Sequence, residues 1–215
     1  MAFSSIIFDF DGTILDTEWS EYTSIRNEYQ RLGLQYPIEQ HRLRVGRIDN
    51  RPWHEELETV AGQQDDIDSV IERVRSTHLS QIATADLRAG VAEVIQGAEN
   101  RQLGLAVASS SPHRWLETHL TSHNLYHRFS AVASSDLVEH AKPWPDVFLT
   151  AAEMLSVEPG SCLVIEDSQN GLTAAKQAGM TCVVVPNSAT EGSDFSAADL
   201  VLDSLGDFSF GAFGL

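Results

Sequence analysis

The chain has 215 residues, of which 42% are hydrophobic and 21% are charged, a composition typical of a folded globular protein rather than a disordered one. Its 31 acidic and 14 basic residues give a formal net charge of −17, and no basic stretch could follow a nucleic acid backbone. We therefore expect neither a nucleic acid nor an anionic membrane as a partner. The length allows at most two structured units.

The N-terminal segment MAFSSIIFDF has no basic start, and it reaches Asp9 before an apolar run becomes long enough for a signal peptide or a membrane span. This pattern predicts a cytoplasmic protein. The two cysteines, Cys162 and Cys182, each lie in an apolar run typical of a buried strand. We expect both thiols to be buried and unreactive.

The first predicted element is an apolar strand at residues 5–8. The next stretch of the chain contains helical patterns of apolar residues but no convincing strand, and Gly33 follows the first of these patterns as a helix-ending residue. The sequence therefore predicts an all-helical unit at residues 17–87. Its apolar positions are Trp19, Tyr22, Ile25, Tyr29 and Leu32, then Trp53, Leu57 and Val60, then Ile67, Val70, Ile71, Val74, Leu79 and Ile82.

From residue 88 onward, short β-branched runs alternate with amphipathic helical stretches, which is typical of a doubly wound α/β fold with a parallel sheet. Strands are predicted at residues 103–108, 131–133, 162–165, 182–185 and 200–202, and helices at residues 91–98 and 147–155. We predict that residues 1–16 and 88–215 form this α/β core and that the helical unit is inserted into it. The closing segment FSFGAFGL is apolar and is expected to pack on the core rather than on a partner.

Two acids, Asp9 and Asp11, follow directly after the first predicted strand, in the sequence Asp-Phe-Asp-Gly-Thr. Ligands of parallel α/β sheets bind beyond the carboxyl ends of strands, so these acids are placed for catalysis, with one carboxylate attacking and the other transferring a proton. A turn or a calcium loop is the structural alternative. A calcium loop would need acids at alternate positions and a closing Glu, whereas Ile14 and Leu15 come next.

Three further groups stand at comparable positions. Glu166 and Asp167 close a predicted strand and are suited to a hard cation, although Asp and Ser are also common helix caps there. Ser109, Ser110 and Ser111 follow another strand, where a hydroxyl and free main-chain N–H groups could hold a phosphate oxygen or simply cap the next helix. Lys142 lies in a proline-rich loop, and its rarity among only two lysines favours a function over surface solubility.

Four motifs occur in order along the chain: DFDGT, the serine after an apolar strand, Lys-Pro, and Glu-Asp before Ser-x-x-Gly. Together they resemble the four motifs of the haloacid dehalogenase-like hydrolase superfamily. The helical insert after the first motif, Asp-Thr-Glu at residues 16–18 and the Lys-Pro-x-Pro-Asp-x-Phe phrasing are similar to its β-phosphoglucomutase-like group, which includes many sugar phosphatases. The resemblance covers nearly the whole chain. It implies a Rossmann-like core with a mobile helical cap that closes over the site.

The resemblance also implies roles for individual residues. Asp9 is then the nucleophile and Asp11 the general acid and base, with Ser109 and Lys142 holding phosphate. The implied Mg²⁺ ligands are Asp9, the main-chain oxygen of Asp11, Asp167, and Glu166 directly or through water; the implied substrate contacts are Thr17, Gly46, Arg47 and Ser110.

The expected function is thus a Mg²⁺-dependent phosphatase that acts on a small phosphorylated metabolite, with no obligatory protein partner evident. A phosphosugar mutase is the first alternative. The resemblance implies that such a mutase would have a histidine on the first helix of the insert and a lysine elsewhere in the insert. This chain has Glu21 at the corresponding position, and residues 18–88 contain no lysine. The missing lysine also disfavours phosphonatase chemistry, and the presence of Asp11 disfavours a dehalogenase. A catalytically silent module that binds a phosphorylated ligand is the second alternative. Among the histidines, only His113, near the serine loop, is considered for the site, and a position on the surface of a helix is the favoured alternative.

Overall fold

The computed structural model describes residues 3–46, 52–55, 57 and 66–215. The predicted positions Val60 and Arg47 lie outside these residues. The helices are α1 (Thr17–Arg31), α2 (Ile38–Arg42), α3 (Ile67–Ile82), α4 (Val91–Asn100), α5 (His113–Ser122), α6 (Asp146–Leu155) and α7 (Gln169–Gln177). The strands are β1 (Ser5–Phe8), β2 (Gly104–Ala108), β3 (Ala131–Ala133), β4 (Cys162–Glu166), β5 (Thr181–Val184) and β6 (Leu200–Val201).

The six strands form one parallel sheet in the order β3-β2-β1-β4-β5-β6. This confirms the predicted doubly wound α/β class, and each predicted strand is present to within one residue at either end. β1 lies in the middle, with β2 on one side and β4 on the other. The strand order therefore reverses at β1, and ligands of such sheets bind in the crevice outside the carboxyl ends of the strands at this position.

Alternate residues of the buried strands supply two separate cores, one on each face of the sheet. Ile6 and Phe8 of β1 pack with the apolar faces of α4 and α5, whereas Ile7 packs with those of α6 and α7. A parallel strand covered on both faces is apolar throughout, which explains the uninterrupted hydrophobic run before Asp9. Both cysteines are fully buried in the second core, as predicted.

The closing segment packs on the first core, as expected from its composition. Phe208, Phe210 and Phe213 lie against that cluster, and the ring of Phe213 also meets the ring of Phe3 edge-on at 6.0 Å. The C-terminal aromatic residues therefore extend the first core.

Helices α1, α2 and α3 lie between β1 and β2 in the chain and share a third apolar cluster. Asp16 caps α1 by accepting a hydrogen bond from Trp19 N at 3.3 Å, and Gly33 follows the helix with φ +76°. The rings of Tyr22, Tyr29 and Tyr36 fill the centre of this cluster. None of the described helices is long and apolar enough to cross a membrane.

Candidate active site

The carboxyl ends of the three central strands bring the predicted site residues together. Asp9 follows β1, Ser109 follows β2, and Glu166 and Asp167 stand at the end of β4. The Asp9 N–H donates to Ile165 O at 2.9 Å and extends the strand pairing to the first acid. The chain then turns tightly, with Phe10 O accepting from three successive N–H groups and Gly12 at φ +81°.

Lys142 lies at the centre of this group and is 1% exposed. Its Nζ donates to Asp9 Oδ1 at 2.5 Å and to Glu166 Oε1 at 2.7 Å, and it also stands 4.7 Å from the centre of the Phe148 ring. Burial opposes the charged form of this lysine, but the two adjacent carboxylates raise its pKa above the usual value. Lys142 is therefore held as a buried cation directly beside Asp9.

Both carboxylate oxygens of Glu166 are already bonded. Oε1 accepts from Lys142, while Oε2 accepts from the N–H groups of Asp167 and Ser168, each at 2.9 Å, and from the Ser168 hydroxyl at 3.0 Å. A Cβ on Gly171 would stand only 1.7 Å from Glu166 Oε1. The Ser-x-x-Gly sequence thus leaves room for the buried carboxylate, which orients Lys142.

Asp167 faces the turn after β1. Its Oδ2 accepts from Asn187 Nδ2 at 2.6 Å, and the same amide donates to Gly12 O at 3.1 Å. A Cβ on Gly12 would lie 2.3 Å from Asp167 Oδ2, so only glycine permits this approach. Arg88 holds the other side of the turn by donating to Gly12 O and, at 2.8 Å, to Pro186 O.

The three acids Asp9, Glu166 and Asp167 offer carboxylate oxygens that lie within 4.8 Å of one another. Burial raises the pKa of Asp9 to about 8, with Lys142 opposing the shift and Glu166 adding to it. Burial, and then the neighbouring Glu166 and Asp9, also raise the pKa of Asp167 well above its usual value. More negative charge is therefore concentrated here than Lys142 neutralises.

This cluster fits a magnesium ion on the chemistry of its donors, since Mg²⁺ binds carboxylate and carbonyl oxygens. Asp9 and Asp167 each retain one oxygen without a hydrogen bond from a described residue, and no described residue donates to the carbonyl oxygen of Asp11. Glu166 has no oxygen without a partner. Glu166 is therefore better placed to accept hydrogen bonds from Lys142 and from a water molecule on the metal than to bind the metal directly.

Asp11 lies beside Asp9 and accepts four hydrogen bonds. Oδ1 accepts from Thr17 Oγ1 at 3.0 Å and Trp115 Nε1 at 2.9 Å. Oδ2 accepts from Ser109 Oγ at 3.3 Å and Ser111 Oγ at 2.5 Å. Donors from α1, from the loop after β2 and from α5 therefore fix the orientation of the Asp11 carboxylate.

Trp115 lines the same cleft as Asp11, and no motif in the sequence indicates it. Its indole lies almost parallel to the imidazole of His78 on α3, with the rings 5.9 Å apart and inclined by 9°. Ser20 on α1 contacts His78 Nδ1 at 3.1 Å. Burial lowers the pKa of His78 to about 4, so this ring is neutral at physiological pH.

These residues open on a cleft of about 770 Å³ between the sheet edge and the helical insert. Its acidic lining consists of Asp9, Asp11, Glu18 and Glu21, and its basic lining of Arg44, Arg75 and Arg114. The three arginines were not foreseen as site residues. Gly46, which is predicted to contact substrate, lines the cleft, whereas the predicted contact Arg47 lies outside the described residues.

Hydrogen bonds join the helical insert to the sheet at the edge of this cleft. Ser110 Oγ donates to Gly46 O at 2.8 Å, and Asn170 Nδ2 donates to Val45 O at 2.7 Å. A Cβ on Gly46, which has φ +77°, would stand 3.0 Å from Ser168 Oγ. Ser110, predicted to contact substrate, is thus engaged with the insert in this structure. His113 is not in the cleft lining, and its Nε2 lies 3.4 Å from the Tyr126 hydroxyl.

A parallel sheet whose central strand ends at a buried aspartate, flanked by an acid pair on one neighbouring strand and serines on the other, defines a doubly wound α/β protein with a ligand site where the strand order reverses. Residues 6–185 match the haloacid dehalogenase-like hydrolase family. The chain belongs to this family, which confirms the resemblance seen in its motifs.

Individual relatives span nearly the same length. The protein YhcW of Bacillus subtilis (strain 168) is 34% identical over 94% of this chain and 92% of its own. The fructose-1-phosphate phosphatase YqaB of Escherichia coli (strain K12) is 33% identical over 85% of this chain and 96% of its own. A crystal structure of a CbbY mutant from Rhodobacter sphaeroides in complex with xylulose 1,5-bisphosphate has a TM-score of 0.76 and 28% identity, covering 99% and 100% of the two chains.

Proposed function

We propose that the protein is a Mg²⁺-dependent phosphatase that hydrolyses small phosphate monoesters, in particular sugar phosphates, through a phosphoaspartate at Asp9. One observation carries the proposal. The buried carboxylate of Asp9 lies at the cleft, accepts a hydrogen bond from the Lys142 ammonium and is grouped with Glu166 and Asp167. Asp11 lies next to it and accepts four hydrogen bonds.

Electrostatics explains why this nucleophile needs cations. An anionic carboxylate about 3.5 Å from a phosphoryl oxygen is opposed by roughly 5 kcal/mol per pair of unit charges at an effective dielectric constant of about 20. Lys142 supplies one positive charge at Asp9 Oδ1. When bound by Asp9, Asp167 and the carbonyl oxygen of Asp11, Mg²⁺ supplies two more and neutralises charge on the transferred group.

Asp11 is proposed as the general acid and then the general base. It gives a proton to the leaving oxygen as Asp9 attacks phosphorus, and once ionised it takes a proton from the water that hydrolyses the phosphoaspartate. The Trp115 and Thr17 donors keep one carboxylate oxygen in place. Because Ser109 and Ser111 bond the other oxygen, Ser109 can exchange this bond for a phosphate oxygen and, with Lys142, hold the phosphoryl group.

We further propose that residues 17–87 form a cap domain on a core made of residues 1–16 and 88–215. The separate apolar cluster of α1, α2 and α3 supports this division, and so do the few hydrogen bonds from Ser110 and Asn170 that close the insert over the cleft. On cap closure, Thr17, Gly46 and Arg47 would face the substrate, with Ser110 at the boundary.

The proposed substrate class rests on the cleft and on the relatives. Arg44, Arg75 and Arg114 provide positive charge in the cleft lining, while Glu18 and Glu21 can accept hydrogen bonds from sugar hydroxyls. YqaB is named as a fructose-1-phosphate phosphatase, and the CbbY crystal structure contains xylulose 1,5-bisphosphate. Both compounds are sugar phosphates.

The test is hydrolysis of an aryl phosphate and of a panel of phosphorylated sugars. We expect activity that EDTA removes and Mg²⁺ restores, and that Asp9→Asn abolishes. Asp68→Asn, at an exposed position on α3, is the matched control and should behave like the wild type. Binding of a sugar phosphate without turnover by the Mg²⁺-loaded wild type would instead establish a silent binding module.

A mutase remains the alternative within the same chemistry, since it differs only in whether a sugar hydroxyl or water accepts the phosphoryl group. Glu21 lines the cleft at the position considered for a mutase histidine, and this favours water as the acceptor. Assaying isomerisation of β-glucose 1-phosphate beside its hydrolysis separates the two, because a mutase would form glucose 6-phosphate faster than free phosphate.

A further inference from the structure

A second group of potential metal ligands lies in the helical insert, apart from the Asp9 cluster. Glu18 and Glu21 are three residues apart on α1 and so share one face of the helix. His41, on α2, faces them, and one ligand atom from each of the three residues lies within 4.8 Å of the others.

His41 is the observation that points to a ligand. The residue is 0% exposed, and neither ring nitrogen makes a hydrogen bond of normal geometry to a described residue. Buried polar nitrogens are nearly always bonded, because an unsatisfied donor or acceptor loses its hydration without compensation. The Tyr22 and Tyr36 rings pack on the imidazole, with centres 5.4 Å and 6.1 Å away, and hold Nε2 towards Glu18.

The spacing suits coordination better than a direct bond. His41 Nε2 and Glu18 Oε2 are 3.5 Å apart, which is long for a hydrogen bond. Two ligand atoms on a tetrahedral zinc ion, with bonds of about 2.0–2.2 Å, are roughly 3.3–3.6 Å apart. Among the described residues, none donates a hydrogen bond to the side chain of Glu18 or Glu21, so their oxygens remain available.

We propose that Glu18, Glu21 and His41 form a second cation site, for a transition metal such as Zn²⁺, in the wall of the cleft. One imidazole and two carboxylates are a donor set that zinc accepts, and Mg²⁺ prefers oxygen alone. Glu18 and Glu21 line the cleft, so the ion's remaining position opens towards the substrate. An ion there would bind an anionic or hydroxyl group of a ligand and reduce the negative charge of the cleft.

The test counts ions and does not depend on the phosphatase proposal, since no turnover is measured. The full chain, stripped with a chelator, is equilibrated with excess Mg²⁺ and Zn²⁺, freed of unbound metal, and analysed for zinc. We expect the wild type to retain one Zn²⁺ per chain, and His41→Gln and Glu21→Gln to retain none. The control His127→Gln, which replaces an exposed histidine, should retain zinc like the wild type.

No zinc retained by the wild type in excess Mg²⁺ would overturn the proposal, and so would full retention by a folded His41→Gln variant. A second measurement covers the case in which that variant does not fold. Co²⁺ bound at this site should give a paramagnetically shifted imidazole N–H resonance that persists in His78→Gln. The Asp9 cluster contains no histidine, so Co²⁺ bound there cannot give the large contact shift of a coordinated imidazole, and the absence of such a signal in the wild type would contradict the site.

Discussion

Trp115 connects the helix after the serine loop to the proposed general acid. Its Nε1–H donates to Asp11 Oδ1 at 2.9 Å, and its ring is stacked on His78 of the helical insert. Hydrogen bonds to a charged group contribute about 1.5–3 kcal/mol, enough to favour one orientation of a carboxylate strongly. We therefore expect Trp115 to be a positioning residue for Asp11, held in place partly by its contact with the insert.

Trp115→Phe keeps an aromatic ring but removes the donor. We expect kcat on an alkyl phosphate to fall about tenfold, since roughly 1.4 kcal/mol of orientation is lost. The loss on an aryl phosphate should be smaller, because a good leaving group needs less help from a proton donor. Steady-state kinetics on both substrates, with Trp144→Phe at an exposed position as control, checks this. Equal losses on both substrates would mean that Trp115 has only a structural role.

At the scale of residues, the sequence predicts Asp9, Ser109 and Glu166 as site residues because each comes directly after an apolar run, and Lys142 because lysine is rare in this chain. The structure brings Asp9, Glu166 and Lys142 into contact, and their roles remain predictions. Trp115 and His78 could not be predicted, since a tryptophan and a histidine on amphipathic helices are ordinary packing residues until the helices are placed. Asn187, which bonds Asp167, lies in a loop whose path no local pattern indicates.

Helix α7 begins directly after the acid pair, and Gly171 in its first turn makes this close approach possible. Ser168 caps the helix by accepting from the Gly171 N–H at 3.0 Å and also donates to Glu166 Oε2 at 3.0 Å. The missing side chain of Gly171 makes the space that Glu166 occupies. Ser168 and Gly171 thus fix both the start of the helix and the position of Glu166, which pairs with Lys142.

Gly171→Ala separates this packing role from helix propensity. Alanine within a helix is normally more stabilising than glycine by about 0.5–1 kcal/mol, so propensity alone predicts a higher Tm. We expect the opposite, a lower Tm together with a large loss of kcat, because the new Cβ would overlap Glu166 Oε1. Thermal denaturation and kinetics are compared with Gly160→Ala, whose Cβ would have no neighbour within 4 Å. A raised Tm in Gly171→Ala would refute the packing argument.

At the scale of elements, strands and helices follow from periodicity, whereas their exact ends depend on partners. β4 extends to Glu166 because that residue pairs with Val184, and β5 begins at Thr181 because it pairs with Leu163. The helical insert was predicted from three apolar patterns, and α1 and α3 match two of them. The short helix α2, which carries His41, lacks a full period of apolar residues and was not foreseen.

The whole molecule combines a net charge of −17 with a buried group of acids at the switch point of its sheet. The sequence indicates the doubly wound class, but the strand order follows from tertiary packing and cannot be obtained from the pattern alone. Concentrated negative charge opposes folding unless protons or cations neutralise it. The stability of the protein should therefore depend on both pH and Mg²⁺.

Burial raises the pKa of Asp9 to about 8, so the folded, ion-free protein binds a proton there that the unfolded chain releases near pH 4. The stability from this proton is complete below about pH 4 and is lost as the pH rises towards about 8. Because Mg²⁺ competes with the proton, the rise in Tm caused by Mg²⁺ should grow over the same interval. Thermal denaturation with and without Mg²⁺ across this range measures it, and an equal Mg²⁺ effect at both ends would contradict the assignment.

The central claim is that Asp9 itself accepts the phosphoryl group, and it can be tested by trapping that group. Asp11→Asn should still react with an aryl phosphate, whose leaving group needs no proton donor, but should hydrolyse the phosphoaspartate slowly because the base is gone. Mass spectrometry of peptides from the quenched reaction should then find the phosphoryl group on Asp9. A phosphoryl group on another residue, or turnover by Asp9→Asn at the wild-type rate, would contradict the account.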